Sequence, residues 1–246
     1  MNGAPVTLAG AGGTAPLVLT CEHASVDVPP EYQHLGLSAA EINEHIGWDI
    51  GAAPVTQELS RVLGVPAVLS GASRLLVDCN RALTDPDLIP HVSCGVPIPG
   101  NAQIDPPERA VRLARFYEPY HAAVDAELAR HPGAMLLSVH SFTPSLNGQV
   151  RAFDVGVLFD AFEWLAAMLA DGISRTGFSV RMNEPYSGLA GLIFSARSHG
   201  RRHGVRYLEL EINNRLVSNE SDGRAVARRL APAVAAVAEA RNREGS

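Results

Sequence analysis

Short apolar runs alternate along this chain with longer segments whose apolar residues recur at helical spacing. Leu17–Cys21, Leu-Val-Leu-Thr-Cys, has the length and β-branched content of a buried strand. Val65–Ser70, Arg74–Asp78, Ala134–Val139, Asp154–Phe159, Phe178–Arg181 and Val205–Ile212 read the same way. Ser38-Ala-Ala-Glu41 is a capping-box pattern, so a helix is predicted from Ser38 to about Leu63, stopped by Gly64 and kinked or divided at Pro54. Further helices are predicted over Glu108–Arg130, Ala161–Arg175 and Ser221–Arg241. Residues 84–107 are rich in Pro, Gly and Asp and read as a long irregular segment, the kind that covers a site.

Strands that alternate with helices predict an α/β fold of three layers: a mixed, mostly parallel sheet with helices on both faces. In such sheets ligands bind beyond the carboxyl ends of the strands, so polar residues at strand ends are the place to look for chemistry. The 246 residues are within reach of one catalytic domain over 17–246, preceded by a Gly/Ala-rich N-terminal arm over 1–16 that is expected to fray.

Composition narrows the function classes. Hydrophobic residues make up 46%, enough for a large core, and no apolar run is long enough to span a membrane. The net charge of −6, with no basic stripe, argues against a nucleic-acid partner. All 20 basic residues are Arg. Lysine chemistry is therefore excluded, and every fixed cation is a planar fork suited to carboxylates. Three scattered cysteines without a Cys-x-x-Cys pair fit a reducing cytoplasm rather than a disulfide framework.

Three predicted strand ends carry suggestive groups: Glu22-His23, His140-Ser141 and the Glu209/Glu211 pair. Two histidines and a carboxylate from separate strands suit a zinc hydrolase, which takes three protein ligands and leaves a fourth position for water. His45 and Asp49, at i and i+4 of a predicted helix, share one face and form a second candidate set of ligands or supports. In Ser73–Arg81, strand alternation places Arg74, Asp78 and Asn80 on one side, with Arg81 at the end. An Arg beside an amide suits a carboxylate, and a second Arg suits the oxyanion of a tetrahedral intermediate. A structural Arg–Asp pair is the plainer alternative, and Asp78 can serve both. Serine nucleophiles lack a Gly-x-Ser-x-Gly elbow, and nucleotide binding lacks a glycine-rich fingerprint.

Six short motifs in order, Cys21-Glu-His-Ala-Ser, His45-Ile-Gly-Trp-Asp-Ile-Gly51, Ser73-Arg…Asp78-Cys-Asn-Arg81, Pro119-Tyr-His121, Val139-His-Ser-Phe-Thr-Pro144 and Glu211-Ile-Asn-Asn, resemble the N-formylglutamate amidohydrolase family. The resemblance runs from about Leu17 to Leu216. It implies a fold like that of zinc carboxypeptidases and aspartoacylases, one catalytic Zn2+, and hydrolysis of N-formyl-L-glutamate to formate and glutamate, a step of histidine degradation. Carried over by position, it makes His23 and His140 zinc ligands and Glu211 the general base. It makes Asn80 and Arg81 the seat of the substrate carboxylate and Arg74 the group that polarises the scissile carbonyl. Carboxypeptidases draw a further ligand from a His-x-x-Glu pair, but Val26 stands three residues after His23. Asp49 is the preferred replacement, ahead of Glu22 and His45, and Glu209 is the alternative base. A peptidase or deacylase with another N-acyl or γ-glutamyl substrate is the second reading. A metal-binding homologue without catalysis is the third, against which the presence of Glu211 speaks.

Overall fold

The computed structural model describes residues 4–10, 16–146 and 148–240. Its centre is a seven-stranded sheet in the order β1-β3-β2-β6-β11-β9-β10. These strands are β1 (Val6–Ala9), β2 (Leu17–Cys21), β3 (Ala67–Ser70), β6 (Met135–Phe142), β9 (Val155–Leu158), β10 (Val180–Met182) and β11 (Tyr207–Asn213), and two short ribbons lie outside the sheet, β4 (Val92–Ser93) with β5 (Val96–Pro97) and β7 (Ser145–Leu146) with β8 (Gln149–Val150). Strands β3, β2, β6 and β11 are mutually parallel, while β9 runs antiparallel to β11 and β1 antiparallel to β3. The mixed, mostly parallel α/β sheet expected from the alternation of elements is therefore present.

Helices α2 (Ala52–Leu63), α5 (Glu163–Ser174) and α7 (Glu220–Glu239) supply one face of the core, packing on Leu17, Leu19, Leu137, Val139, Leu208 and Leu210. Helices α4 (Glu118–Arg130), preceded by α3 (Pro106–Arg112), and α6 (Phe194–His203) lie on the other, against Val18, Leu136 and Tyr207. On that second face the side chains change character along the strands. Leu136 and Tyr207 are apolar, and they are followed by the register pairs Ser138–Glu209 and His140–Glu211. All four polar residues are buried. A sheet face that turns polar toward its carboxyl end is a core that ends in a site. No helix among the described residues is long and apolar enough to cross a membrane.

Four local expectations are corrected. The stretch 6–9, read as part of a frayed arm, is the edge strand β1, with Val6 opposite Ser70 and Ala9 opposite Ala67; residues 1–3 and 11–15 lie outside the described residues. The helix expected from Ser38 to Leu63 is two helices. The capping box forms, Ser38 Oγ accepting from the Glu41 amide and Glu41 accepting from the Ser38 amide, but α1 covers only Ala39–Asn43. The division falls at Glu44–Gly51 rather than at Pro54, which sits in the first turn of α2. There the chain must turn, and Gly51 takes a left-handed φ of 82° as the N-cap of α2. Consequently His45 and Asp49 do not share a helix face. Arg74–Asp78 is a run of turns rather than a strand. Its Leu76 amide bonds to the Ser73 carbonyl, which closes a turn that no alternation pattern reveals. Finally, α6 had no counterpart in the apolar pattern, because its Ser, Arg and His residues mask the periodicity.

Candidate metal centre and active site

Asp49 reaches the sheet because the loop before α2 is pinned to β2 and β6. Its amide donates to the His23 carbonyl at 3.0 Å, and its Oδ2 accepts from the Ser141 amide at 3.2 Å. His23 stands just beyond Glu22 at the end of β2, and His140 lies near the end of β6, two adjacent parallel strands. His140 Nδ1 is 3.1 Å from His23 Nδ1 and 2.8 Å from Asp49 Oδ2, and the third side of the triangle is 3.3 Å. A tetrahedral ion with bonds near 2.0–2.1 Å needs its ligand atoms roughly 3.3 Å apart. The triangle is close to that size. Among the described residues, this is the one group of three whose ligand atoms converge in this way.

Each imidazole is held from behind by a buried carboxylate. His23 Nε2 is 2.7 Å from Asp78 Oδ1, and His140 Nε2 is 3.0 Å from Glu22 Oε2. Carboxylate support of this kind fixes the ring and raises its basicity as a ligand. The supports are themselves supported: Tyr120 and Ser138 donate to Glu22, and Arg74 Nη2 donates to Asp78 at 2.6 Å. Tyr120 thus gives the Pro119-Tyr-His121 motif a place in the site.

The electrostatics ask for a cation. Burial alone would raise Asp49, but His23 and His140 beside it hold it well below the carboxylate range. Burial likewise opposes ionisation of Asp78 and Glu22. Arg74 and His23 overcome it at Asp78, as His140 and Ser138 do at Glu22. Burial would lower His140, yet Glu209, Asp49 and Glu22 raise it well above the ordinary imidazole range. The carboxylates draw positive charge to the point between the histidines, where a divalent ion supplies more of it than a proton. The donor set and its spacing therefore fit a metal.

These groups open on a cleft of about 320 Å³, within the range of small-molecule sites. Arg74, Arg81, Asn80, Glu209 and Glu211 line it as well. Glu209 and Glu211 play different parts. Asn80 Nδ2 donates to Glu209 at 3.2 Å, and burial pushes Glu209 up to about 7. Glu211 Oε2 is buried with no hydrogen-bond partner among the described residues, and burial pushes its carboxyl well above the usual range. Asn80 is more committed than its place in the sequence suggests, since its Oδ1 also accepts from the Ser195 amide at 2.9 Å. Arg81 is freer, with Asp85 at 3.5 Å as its ion-pair partner. His45 and Cys94 line the cleft wall, and Glu22 lies behind His140, so the converging carboxylate is Asp49.

The sequence profile of the family described as N-formylglutamate amidohydrolase matches residues 15–218. The chain belongs to the N-formylglutamate amidohydrolase family. It is a hydrolase that acts on C–N bonds. This amidohydrolase is similar in structure to the Agrobacterium tumefaciens gene product Atu2144, with a TM-score of 0.89 and 33% identity over 96% of this chain and 97% of that one. It is also similar to the N-formylglutamate amidohydrolase from Ralstonia eutropha JMP134, with a TM-score of 0.69 and 21% identity over 96% and 98% of the two chains. No curated protein sequence matches the amidohydrolase at a significant level. The matched span of this family member contains both histidines, Asp49 and Glu211.

The turn that carries Asp49 offers a test. A Cβ at Gly51 would lie 2.2 Å from the Val217 carbonyl oxygen and 2.5 Å from the Val217 side chain, at a φ that L residues avoid. Gly51→Ala should therefore cost roughly 3 kcal/mol of unfolding free energy. Chemical denaturation measures this, and a loss below 1 kcal/mol would show that the turn yields easily.

Proposed function

We propose that this amidohydrolase uses zinc to cleave the amide of an N-acyl acidic amino acid, with N-formyl-L-glutamate as the leading substrate. The observation that carries the proposal is the juxtaposition of His23, Asp49 and His140, ligand atoms 2.8–3.3 Å apart, with the unpartnered buried carboxylate of Glu211. Zinc held by the three supplies Lewis acidity and a water that ionises near neutrality.

In this reading the chain's own groups have separate tasks. Glu211 accepts the proton of the attacking water and delivers it to the leaving nitrogen. Its burial favours this, since a carboxylate with a raised pKa is a stronger base. Arg74 Nη1, which lies 3.2 Å from His23 Nδ1, faces the scissile carbonyl and stabilises the oxygen as negative charge develops there. Asp78 keeps that guanidinium in place. Arg81 holds a substrate carboxylate, and Asn80 steadies Glu209 while offering its remaining amide hydrogen to the substrate. Catalysis in the cytoplasm agrees with three cysteines that form no disulfide.

Metal analysis of the purified protein, paired with formate release from N-formyl-L-glutamate, tests the proposal. About one zinc per chain is expected, with turnover abolished by a chelator and restored by added zinc. A zinc-loaded protein that cleaves no N-acyl acidic amino acid would overturn it.

A further inference from the structure

The site leaves one cation beside the cleft without a task. Arg151 follows the short strand β8 (Gln149–Val150), which pairs with β7 (Ser145–Leu146) in a hairpin after β6. Its Nη1 donates to Thr143 O at 3.4 Å, to Thr143 Oγ1 at 3.4 Å and to the Tyr186 hydroxyl at 3.3 Å. These bonds are long, and all come from one nitrogen. Among the described residues, no acceptor meets Nε or Nη2, and no carboxylate lies within ion-pair distance of the guanidinium. The side chain is only partly exposed. Its Cζ sits 5.0 Å from the Tyr186 ring centroid and 5.8 Å from that of Phe142, so aromatic faces support the charge without neutralising it.

Among the described residues, the groups that touch this guanidinium, Phe142, Thr143 and Tyr186, also line the cleft. The two arginines that line the cleft are differently placed. Arg74 is tied to Asp78 and lies 3.6 Å from Asp49, at the metal end. Arg81 lies in the turns after Asp78, on a different element from Arg151. An N-acyl glutamate carries two carboxylates. Arg81 answers to one of them, and the second needs a cation of its own, because burying a carboxylate unpaired is costly. Arg151 has two of its three guanidinium nitrogens unengaged and a preset planar orientation, which is the arrangement that takes a carboxylate in bidentate fashion.

We propose that Arg151 is a specificity-determining residue that binds the side-chain carboxylate of the substrate, admitted past Thr143 and Tyr186. This rests on the reading of the protein as a hydrolase of N-acyl acidic amino acids. The test compares N-formyl-L-glutamate with its neutral isostere N-formyl-L-glutamine in the zinc-loaded wild type and in Arg151→Gln. The wild type should prefer the glutamate compound at least tenfold in kcat/KM. In Arg151→Gln, kcat/KM for N-formyl-L-glutamate should fall about 100-fold, mainly through KM, while the glutamine compound changes by less than about threefold. Arg151→Lys should recover part of the preference.

Equal losses on both substrates in a folded Arg151→Gln would overturn the assignment, as would a wild type indifferent to the side-chain charge. If the variant does not fold, inhibition of the wild type decides. Glutarate should bind at least tenfold more tightly than butyrate, and equal inhibition overturns the assignment. A wild type that cleaves neither formyl compound overturns the parent reading and this inference with it. Cleavage of both without preference overturns the inference alone.

Discussion

Glu211→Gln should reduce turnover of the best N-acyl substrate by about a thousandfold or more while leaving the metal content unchanged. General-base catalysis by a positioned carboxylate is worth roughly 10²–10⁴ in rate. The upper part of that range is expected here, because the only other carboxylate on the same strand face is committed. Glu209 accepts from Asn80, and it lies 3.6 Å from the Nε2 of His140, on the side of the ring away from His23. Glutamine keeps the volume and polarity of the side chain but cannot take a proton. The metal should stay, because Glu211 belongs to neither the converging triangle nor its carboxylate supports. Removing a buried carboxyl whose ionisation is opposed by burial should leave stability unchanged or slightly increased. Turnover within tenfold of the wild type, at full zinc occupancy, would move the base to Glu209, and Glu209→Gln would then carry the larger loss.

Asp49→Ala should abolish stoichiometric zinc binding, whereas His45→Ala should keep it. The two residues are four apart, but only Asp49 offers an oxygen to both histidine nitrogens. Losing one of three protein ligands leaves two imidazoles and no carboxylate, whose hold on zinc at micromolar concentration is weak. The deletion also strips His140 of one of the carboxylates around it and leaves the Ser141 amide without its acceptor. Dialysis against a competing chelator, followed by metal analysis, reads the result. Zinc retained by Asp49→Ala and lost by His45→Ala would reverse the assignment of the third ligand.

The strand-end histidines were legible because two features coincide in the sequence, an apolar run of strand length and a polar residue that ends it. His23 and His140 each stand at such a junction, and parallel pairing of β2 with β6 brings the junctions together. Asp49 was legible only as a candidate. Its approach depends on a turn centred on Gly51 and on amide bonds to His23 and Ser141, none of which leaves a periodic trace. Asp78, Glu22 and Tyr120 show the limit more sharply. Asp78 holds His23 across 55 residues, Tyr120 holds Glu22 across 98, and Glu22 reaches His140 from further still. Tertiary proximity of that kind is absent from local pattern. The Ser73–Arg81 stretch misled for the opposite reason. Its apolar Leu75-Leu76-Val77 centre reads as a strand, yet the chain turns there, with the Leu76 amide bonded to the Ser73 carbonyl and Arg74 bonded to Asp78 at i and i+4.

Strand β1 has a consequence of its own. Without it, β3 would present a row of open amides and carbonyls at the margin of the sheet, flanked by buried Ala67, Val68 and Leu69. Such a margin is a template for another copy of the same chain. By laying four residues of mixed exposure along it, antiparallel and in register from Val6 to Ala9, the N-terminal segment moves that margin outward from the buried β3 to a short, half-exposed strand. A stretch remote from the metal centre thus decides which surface the sheet turns outward at its margin.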